Sequence, residues 1–269
     1  MSSGIPHDQR FKTLIRVFVA ELMQLFFPVW ANSVDWAWAN MEWLDTQLFP
    51  DPPDGHIHHA DLILKVRLNE PRPGTTGKKP TDCLLLFHFE VEAPDKTTLL
   101  KPRLLWYNMS ISERNQLPTT TIVLYLNVAM NGIGQDFYEE PPLHELTTNT
   151  FRYLYVGLRG LNASDYVNGD NWFGVALSVL MKIEPERLPW LGAEALRRLC
   201  EAPLSSHKRI LLCECVQAYL PLDEAGRAAF EQIIQGTAYT SVRAMNKTTY
   251  EIGHDKGLEQ GRKEGQFTE

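Results

Sequence analysis

No apolar run in the 269 residues approaches the roughly 20 residues needed to span a bilayer. The opening MSSGIPHDQR has no apolar segment of the kind an export signal carries. A cytoplasmic protein with no membrane partner is the expectation. Cysteine is scarce, and Cys83, Cys200, Cys213 and Cys215 show no disulfide framework. Cys213 and Cys215 lie too close together for a zinc hairpin, so buried thiols in a reducing compartment are expected. Excess positive charge is also missing, with 26 Lys+Arg against 33 Asp+Glu and a formal net charge of -7. The overall field repels phosphates, so contact with nucleic acid would need a local basic patch or bound cations. No helix-turn-helix reader or dedicated strand-transfer domain can be located.

What remains is ample for a folded core: 44% of residues are hydrophobic and 22% charged. Residues 8–27 read as an amphipathic helix. Phe11, Leu14, Ile15, Phe18, Val19, Leu22, Leu25 and Phe26 recur at helical spacing, Asp8 is the expected N-cap, and Pro28 ends the run. Residues 33–49 are expected to form a short strand or helix packed on this first one. DPPDG at 51–55 is a turn, and residues 69–82 read as a mobile hairpin loop in which Lys78 and Lys79 are candidate phosphate contacts. A helix is expected from about Thr98 or Pro102 to Asn115, with Leu104, Leu105, Met109 and Ile111 as its apolar surface. Strands are expected at 119–128 and at 150–157. From about 165 the periodicity turns helical, and the end repeats glycine at 253, 257, 261 and 265 among polar residues. The expected division is 1–160, a helical region 161–250, and a polar tail 251–269.

The chemistry concentrates in residues 59–107. Ala60, Leu62, Leu64, Val66 and Leu68 alternate with His59, Asp61, Ile63, Lys65 and Arg67, the period of a strand. In the next strand Phe87, Phe89 and Val91 point one way, and His88, Glu90 and Glu92 the other. Three carboxylates on neighbouring strands repel one another unless a cation sits among them, and hard oxygen donors suit Mg²⁺ or Mn²⁺. Arg103 and Tyr107 share a helix face just downstream, and Lys101 is a second nearby cation. Lys65 lies four residues beyond Asp61, about 13 Å along an ideal strand, too far to share its ion. The same acidic residues also allow a structural salt-bridge network with Arg103, Lys101 or Lys65. His56, His58 and His59 suggest a zinc site, but one strand cannot turn all three to one ion, and polar residues at a strand entry fit better.

The ordered set of these motifs resembles the PD-(D/E)XK nuclease superfamily and, within it, the recombination-promoting nuclease family, also labelled transposases. The residues that carry the resemblance are His7-Asp8 with Phe11-Lys12, Phe26-Phe27-Pro28, Asp35-Trp36, Ala60-Asp61-Leu62, His88 to Glu92, Arg103 with Tyr107, and the glycine-periodic tail. It implies a restriction-endonuclease-like αβββαβ core followed by a helical C-terminal half that dimerises or sets substrate access. It also implies Mg²⁺-dependent cleavage of DNA phosphodiesters in recombination or transposition, with Asp61 and Glu90 as metal ligands. Glu92 departs from the pattern, since the superfamily usually has lysine there and this family often glutamine. Lysine steadies the attacking water and the developing charge, which a carboxylate does not do in the same way. Glu92 is therefore read as a base or third metal ligand, and otherwise as the mark of a weakened or lost activity that leaves a nucleic-acid-binding or assembly module. Arg103 is the candidate phosphate cation, and Tyr107 the residue that orients it or the substrate.

Overall fold

The computed structural model describes residues 7–48, 58–92, 100–126, 130–140 and 149–245. The expected tail at 251–269 lies outside them. The chain divides into two compact units, Met1–Leu161 and Asn162–Glu269. Its architecture is mixed α/β, with a six-stranded sheet in the first unit and helices throughout the second. No helix among the described residues is long and apolar enough to cross a membrane.

The first helix, α1 (His7–Phe26), buries Phe11, Leu14, Ile15, Phe18, Val19, Leu22 and Phe26, the stripe its periodicity predicts. Asp8 stands inside its first turn rather than ahead of it, so the expected N-cap is displaced. Pro28 does not merely stop the helix. Its fixed φ and missing N–H suit the first turn of a new one, α2 (Pro28–Asn32). Residues 33–48 are mostly turns, with two-residue strands β1 (Glu42–Trp43) and β2 (Gln47–Leu48). β3 (His58–His59) pairs with β2, which turns the histidine-rich segment into a strand pair. His56 lies outside the described residues.

The main sheet is built from β4 (Leu62–Arg67), β5 (Leu84–Glu92), β6 (Thr119–Tyr125), β7 (Gly132–Glu139) and β8 (Thr150–Gly157) together with β1. Its order is β1-β4-β5-β6-β8-β7. The β5–β6 and β6–β8 pairs are parallel and the others antiparallel. A helix, α3 (Leu100–Asn115), supplies the crossover that a parallel β5–β6 pair requires. Along the chain, α1, β1, β4, β5, α3 and β6 succeed one another as helix, three strands, helix, strand.

β5 is interior, and both of its faces are covered. Phe87 meets Trp30 edge-on and Phe89 packs near Trp43, while on the opposite face His88 meets the Tyr107 ring. His88, Glu90 and Glu92 are buried with the rest. The alternation of polar and apolar residues therefore marks two different interiors, not an inside and an outside. Ile63, on the nominally polar side of β4, joins a cluster with Leu86, Tyr107 and Ile111 beneath α3. Met109 of α3 is exposed instead of packed. The loop between β4 and β5 is tied by Asp82, which accepts from the Lys79 N–H (3.2 Å) and the Thr76 hydroxyl (3.3 Å). Lys78 and Lys79 are exposed on it.

β8 falls on the expected residues, whereas β7, rich in glycine, carries no pattern that predicts a strand. β7 is an edge strand, and its Phe137 is occupied on both backbone groups. The N–H donates to Asp136 Oδ1 (2.8 Å), and the carbonyl accepts from Lys101 (3.1 Å).

In the second unit, α4 (Ala163–Val167), α5 (Trp172–Leu177), α6 (Leu188–Glu201), α7 (Ser206–Tyr219) and α8 (Glu224–Ile234) pack around Phe173, Leu191, Leu196, Leu212 and Val216. Side chains of Asn162, Asn171, Ser205 and Asp223 cap α4, α5, α7 and α8 by accepting from early backbone N–H groups. Cys213 and Cys215 are buried, and Cys83 and Cys200 half-buried, all as free thiols.

Gly157 closes β8 where the Met130 backbone crosses it, and a Cβ there would lie 1.9 Å from the Met130 carbonyl oxygen. Gly157→Ala is expected to cost at least the ~1–3 kcal/mol typical of overpacking. The measurement is urea unfolding, with a lower midpoint at unchanged slope; an unchanged midpoint would contradict this close approach.

Candidate functional site

β4 and β5 run antiparallel with Leu62 opposite Phe89, so one further step along the register sets Asp61 opposite Glu90. The two residues are locked by reciprocal backbone bonds. The Asp61 N–H donates to Glu90 Oε1 (3.2 Å), and the Val91 N–H donates to Asp61 Oδ2 (2.8 Å). Each carboxylate therefore satisfies a backbone donor of the other strand, which fixes both side chains without using up their lone pairs. Lys12, projecting from α1, places its Nζ 2.9 Å from Asp61 Oδ1.

Glu90 is held from a second side. His88 Nε2 lies 3.0 Å from Glu90 Oε1, and its Nδ1 lies 3.2 Å from the Thr121 hydroxyl. Asn108, on α3, donates to that hydroxyl (3.1 Å) and to the Thr119 carbonyl (2.9 Å). One directional chain satisfies every group: Asn108 donates to Thr121, Thr121 to His88 Nδ1, and His88 Nε2–H to the carboxylate. This assigns the neutral Nε2–H tautomer to His88 from its hydrogen bonds.

Glu92 lies two residues further along the same face and is almost fully buried. Arg103 pairs closely with Glu92 Oε1 and lies 3.8 Å from Glu90 Oε2. Its guanidinium sits 5.9 Å from the centre of the Tyr107 ring, its i+4 neighbour on α3. Two buried polar atoms are left over, Glu92 Oε2 and Arg103 Nε, neither with a hydrogen-bond partner. Burial pushes the Glu92 carboxyl from 4.5 up to about 7. Arg103 pulls the other way, while neighbouring Glu90 and Asp61 add to the rise. Tyr107 is likewise raised, first by burial and then by Glu90.

Asp61, Glu90, Glu92, Arg103 and Tyr107 thus come together in one cluster. Lys101 does not join it, because its ammonium pairs with Asp136 Oδ2 (2.8 Å) on β7. Lys65 pairs with Glu42 of β1 instead. The cation expected among the carboxylates is supplied by Arg103 and by Lys12, which sequence reasoning picks out only as part of a motif. Its signal is its place one residue after Phe11, at the margin of the buried stripe of α1. Asn108 and Thr121 also escape sequence reasoning. The pairing of Thr121 with His88 depends on the β5–β6 register, which no local pattern announces.

Among the described residues, no group of three or more histidine, cysteine, aspartate or glutamate side chains is arranged to hold a metal ion. The chemistry of the donor set nevertheless fits a hard divalent cation. Three carboxylates are collected with two protein cations, and one buried carboxylate oxygen is unpartnered. Comparison with protein-family models, curated proteins and solved structures gave no match. The likeness to a nuclease family is therefore carried by the motif residues alone.

The raised Glu92 carboxyl has a defined sign in stability. Between pH 4.5 and about 7 the folded chain retains a proton there that the unfolded chain releases, so the contribution of Glu92 becomes less favourable as pH rises through this window. Glu92→Gln is expected to flatten the decline in Tm between pH 5 and pH 8. Parallel Tm–pH curves for the two proteins would refute the assignment.

Proposed function

We propose that this chain is a Mg²⁺- or Mn²⁺-dependent endodeoxyribonuclease that hydrolyses DNA phosphodiesters, with a core of the PD-(D/E)XK type. The observation that carries the reading is the opposed pair Asp61 and Glu90, locked across β4 and β5 by reciprocal backbone bonds, with the unpartnered Glu92 oxygen in the same cluster. The succession helix, three strands, helix, strand supports it, as does a donor set made only of oxygen.

Asp61 and Glu90 would hold the ion, with Glu92 as third ligand or base. When bound, such an ion supplies Lewis acidity toward a phosphoryl oxygen and compensates charge in the transition state. A proton acceptor works best when its pKa lies near the working pH, and the Glu92 value of about 7 supports its role as general base toward the attacking water. Water attacks phosphorus, its proton passes to Glu92, and the P–O bond to the leaving oxygen breaks. We assign Arg103 to holding Glu92 and Glu90 in place, with Tyr107 packed beside its guanidinium. A role in recombination or transposition, and a homodimer formed through the helical region, belong to the same proposal.

A second reading draws on the close Arg103–Glu92 ion pair. A cluster in which protein cations already serve the carboxylates suits a catalytically degenerate nuclease fold that binds nucleic acid or assembles with other chains. Plasmid nicking with Mg²⁺ or Mn²⁺, and with chelator, separates the two. Metal-dependent nicking is expected, with Asp61→Asn and Glu90→Gln each reducing it about 100-fold or more at unchanged fold. Wild-type protein that binds no Mn²⁺ and cuts no form of DNA would overturn the enzyme reading in favour of the second.

A further inference from the structure

Two cations serve the acidic cluster, and they are not equally committed. Arg103 pairs with a carboxylate whose side chain is 2% exposed, while Lys12 and Asp61 are 21% and 14% exposed. Withdrawing Arg103 would strand Glu92 in a buried setting where neither water nor another cation replaces it, the costly way to break an ion pair. Withdrawing Lys12 leaves Asp61 with its backbone bond from Val91 and access to solvent. An exposed pair of this kind is weak, so exchanging its partner costs little. The other nearby lysines are spent elsewhere, Lys101 on Asp136 and Phe137, and Lys65 on Glu42.

We infer that Lys12, not Arg103, is the side chain that binds the DNA phosphate at this site, exchanging Asp61 for a phosphoryl oxygen when the duplex arrives. The inference rests on the nuclease reading and adds to it a division of labour. Arg103 is a fixed counter-ion that positions Glu92, and Lys12 is a movable one that contacts substrate. A lysine suits the second task, being a compact point charge on a flexible stem that can swing between two anions. Its base is steady, because the neighbouring Phe11 is fully buried in the α1 stripe. The exchange also answers the chain's net charge of -7, since an incoming phosphate meets an ammonium at the rim of the cluster before it meets carboxylates.

The test is the salt dependence of binding of a short DNA duplex to the full chain, measured in chelator so that nothing is cut. Each phosphate contact contributes about 0.9 to the slope of log affinity against log salt. Lys12→Met is expected to lower the slope by about one, so that the affinity lost between 50 and 200 mM salt shrinks about 3.5-fold relative to wild type. Lys12→Arg is expected to restore it. Asp61→Asn, which frees the ammonium, should tighten duplex binding in chelator, and adding Lys12→Met should abolish that gain. Equal slopes for wild type and Lys12→Met, in a wild-type protein that still nicks plasmid with Mg²⁺, overturn the role of Lys12 and leave the nuclease reading standing. A gain from Asp61→Asn that persists in the double variant overturns that role in the same way. Wild-type protein that neither binds nor cuts DNA removes both.

Discussion

Burying carboxylates inside a sheet covered on both faces is the constraint to which the rest of the first unit answers. Glu90 and Glu92 sit on an interior strand, where a charged oxygen without partners costs several kcal/mol. The surrounding elements each supply a response. β4 offers the Asp61 N–H, α3 brings Arg103, β6 brings Thr121 to steady His88, and α1 brings Lys12 to the carboxylate opposite. The cluster therefore couples three strands and two helices that are far apart in sequence. Its polar bonds specify the register of β4 on β5 as firmly as the apolar packing does, since a one-residue slip would part Asp61 from Glu90 and turn it to the other face.

The compensation is graded. Asp61 and Glu90 accept backbone donors and are close to satisfied, whereas Glu92 has one oxygen on Arg103 and the other on nothing. Such incomplete satisfaction is uncommon for a buried acid and is the feature a purely architectural ion-pair network would be expected to remove. Acid groups that titrate near neutrality gather at working sites for the same reason, since the environment that raises the pKa is itself costly to fold. Stability and chemistry draw on one arrangement.

Much of this is legible in the residues alone, and the failures have causes. α1 and β8 follow from apolar periodicity, and the acidic face of β5 from strict alternation, because those signals are local. The meeting of Asp61, Glu90, Glu92, Arg103 and Tyr107 in one cluster agrees with their grouping on adjacent elements. Alternation could not say that the polar face of β5 would be covered, because a strand shows its period whether water or a helix lies above it. β7 escapes because two glycines interrupt the β-branched and aromatic pattern by which strands announce themselves. Lys12 and Thr121 escape because their partners lie 49 and 33 residues away, set by helix placement and by parallel register. Lys101 is misplaced for the related reason that its partner, Asp136, belongs to that unannounced strand.

The occupied backbone at Phe137 reaches beyond the fate of one lysine. A sheet border normally offers a ladder on which a foreign extended segment can dock, and the hazard is growth into filaments. At Phe137 the rung is already taken, the amide by Asp136 and the carbonyl by an ammonium from α3. The exposed Phe137 ring beside it would otherwise make this stretch of the border adhesive. Lys101 thus acts as a chain terminator for the sheet, and an acylating agent that removed its charge would first be felt as a loss of solubility.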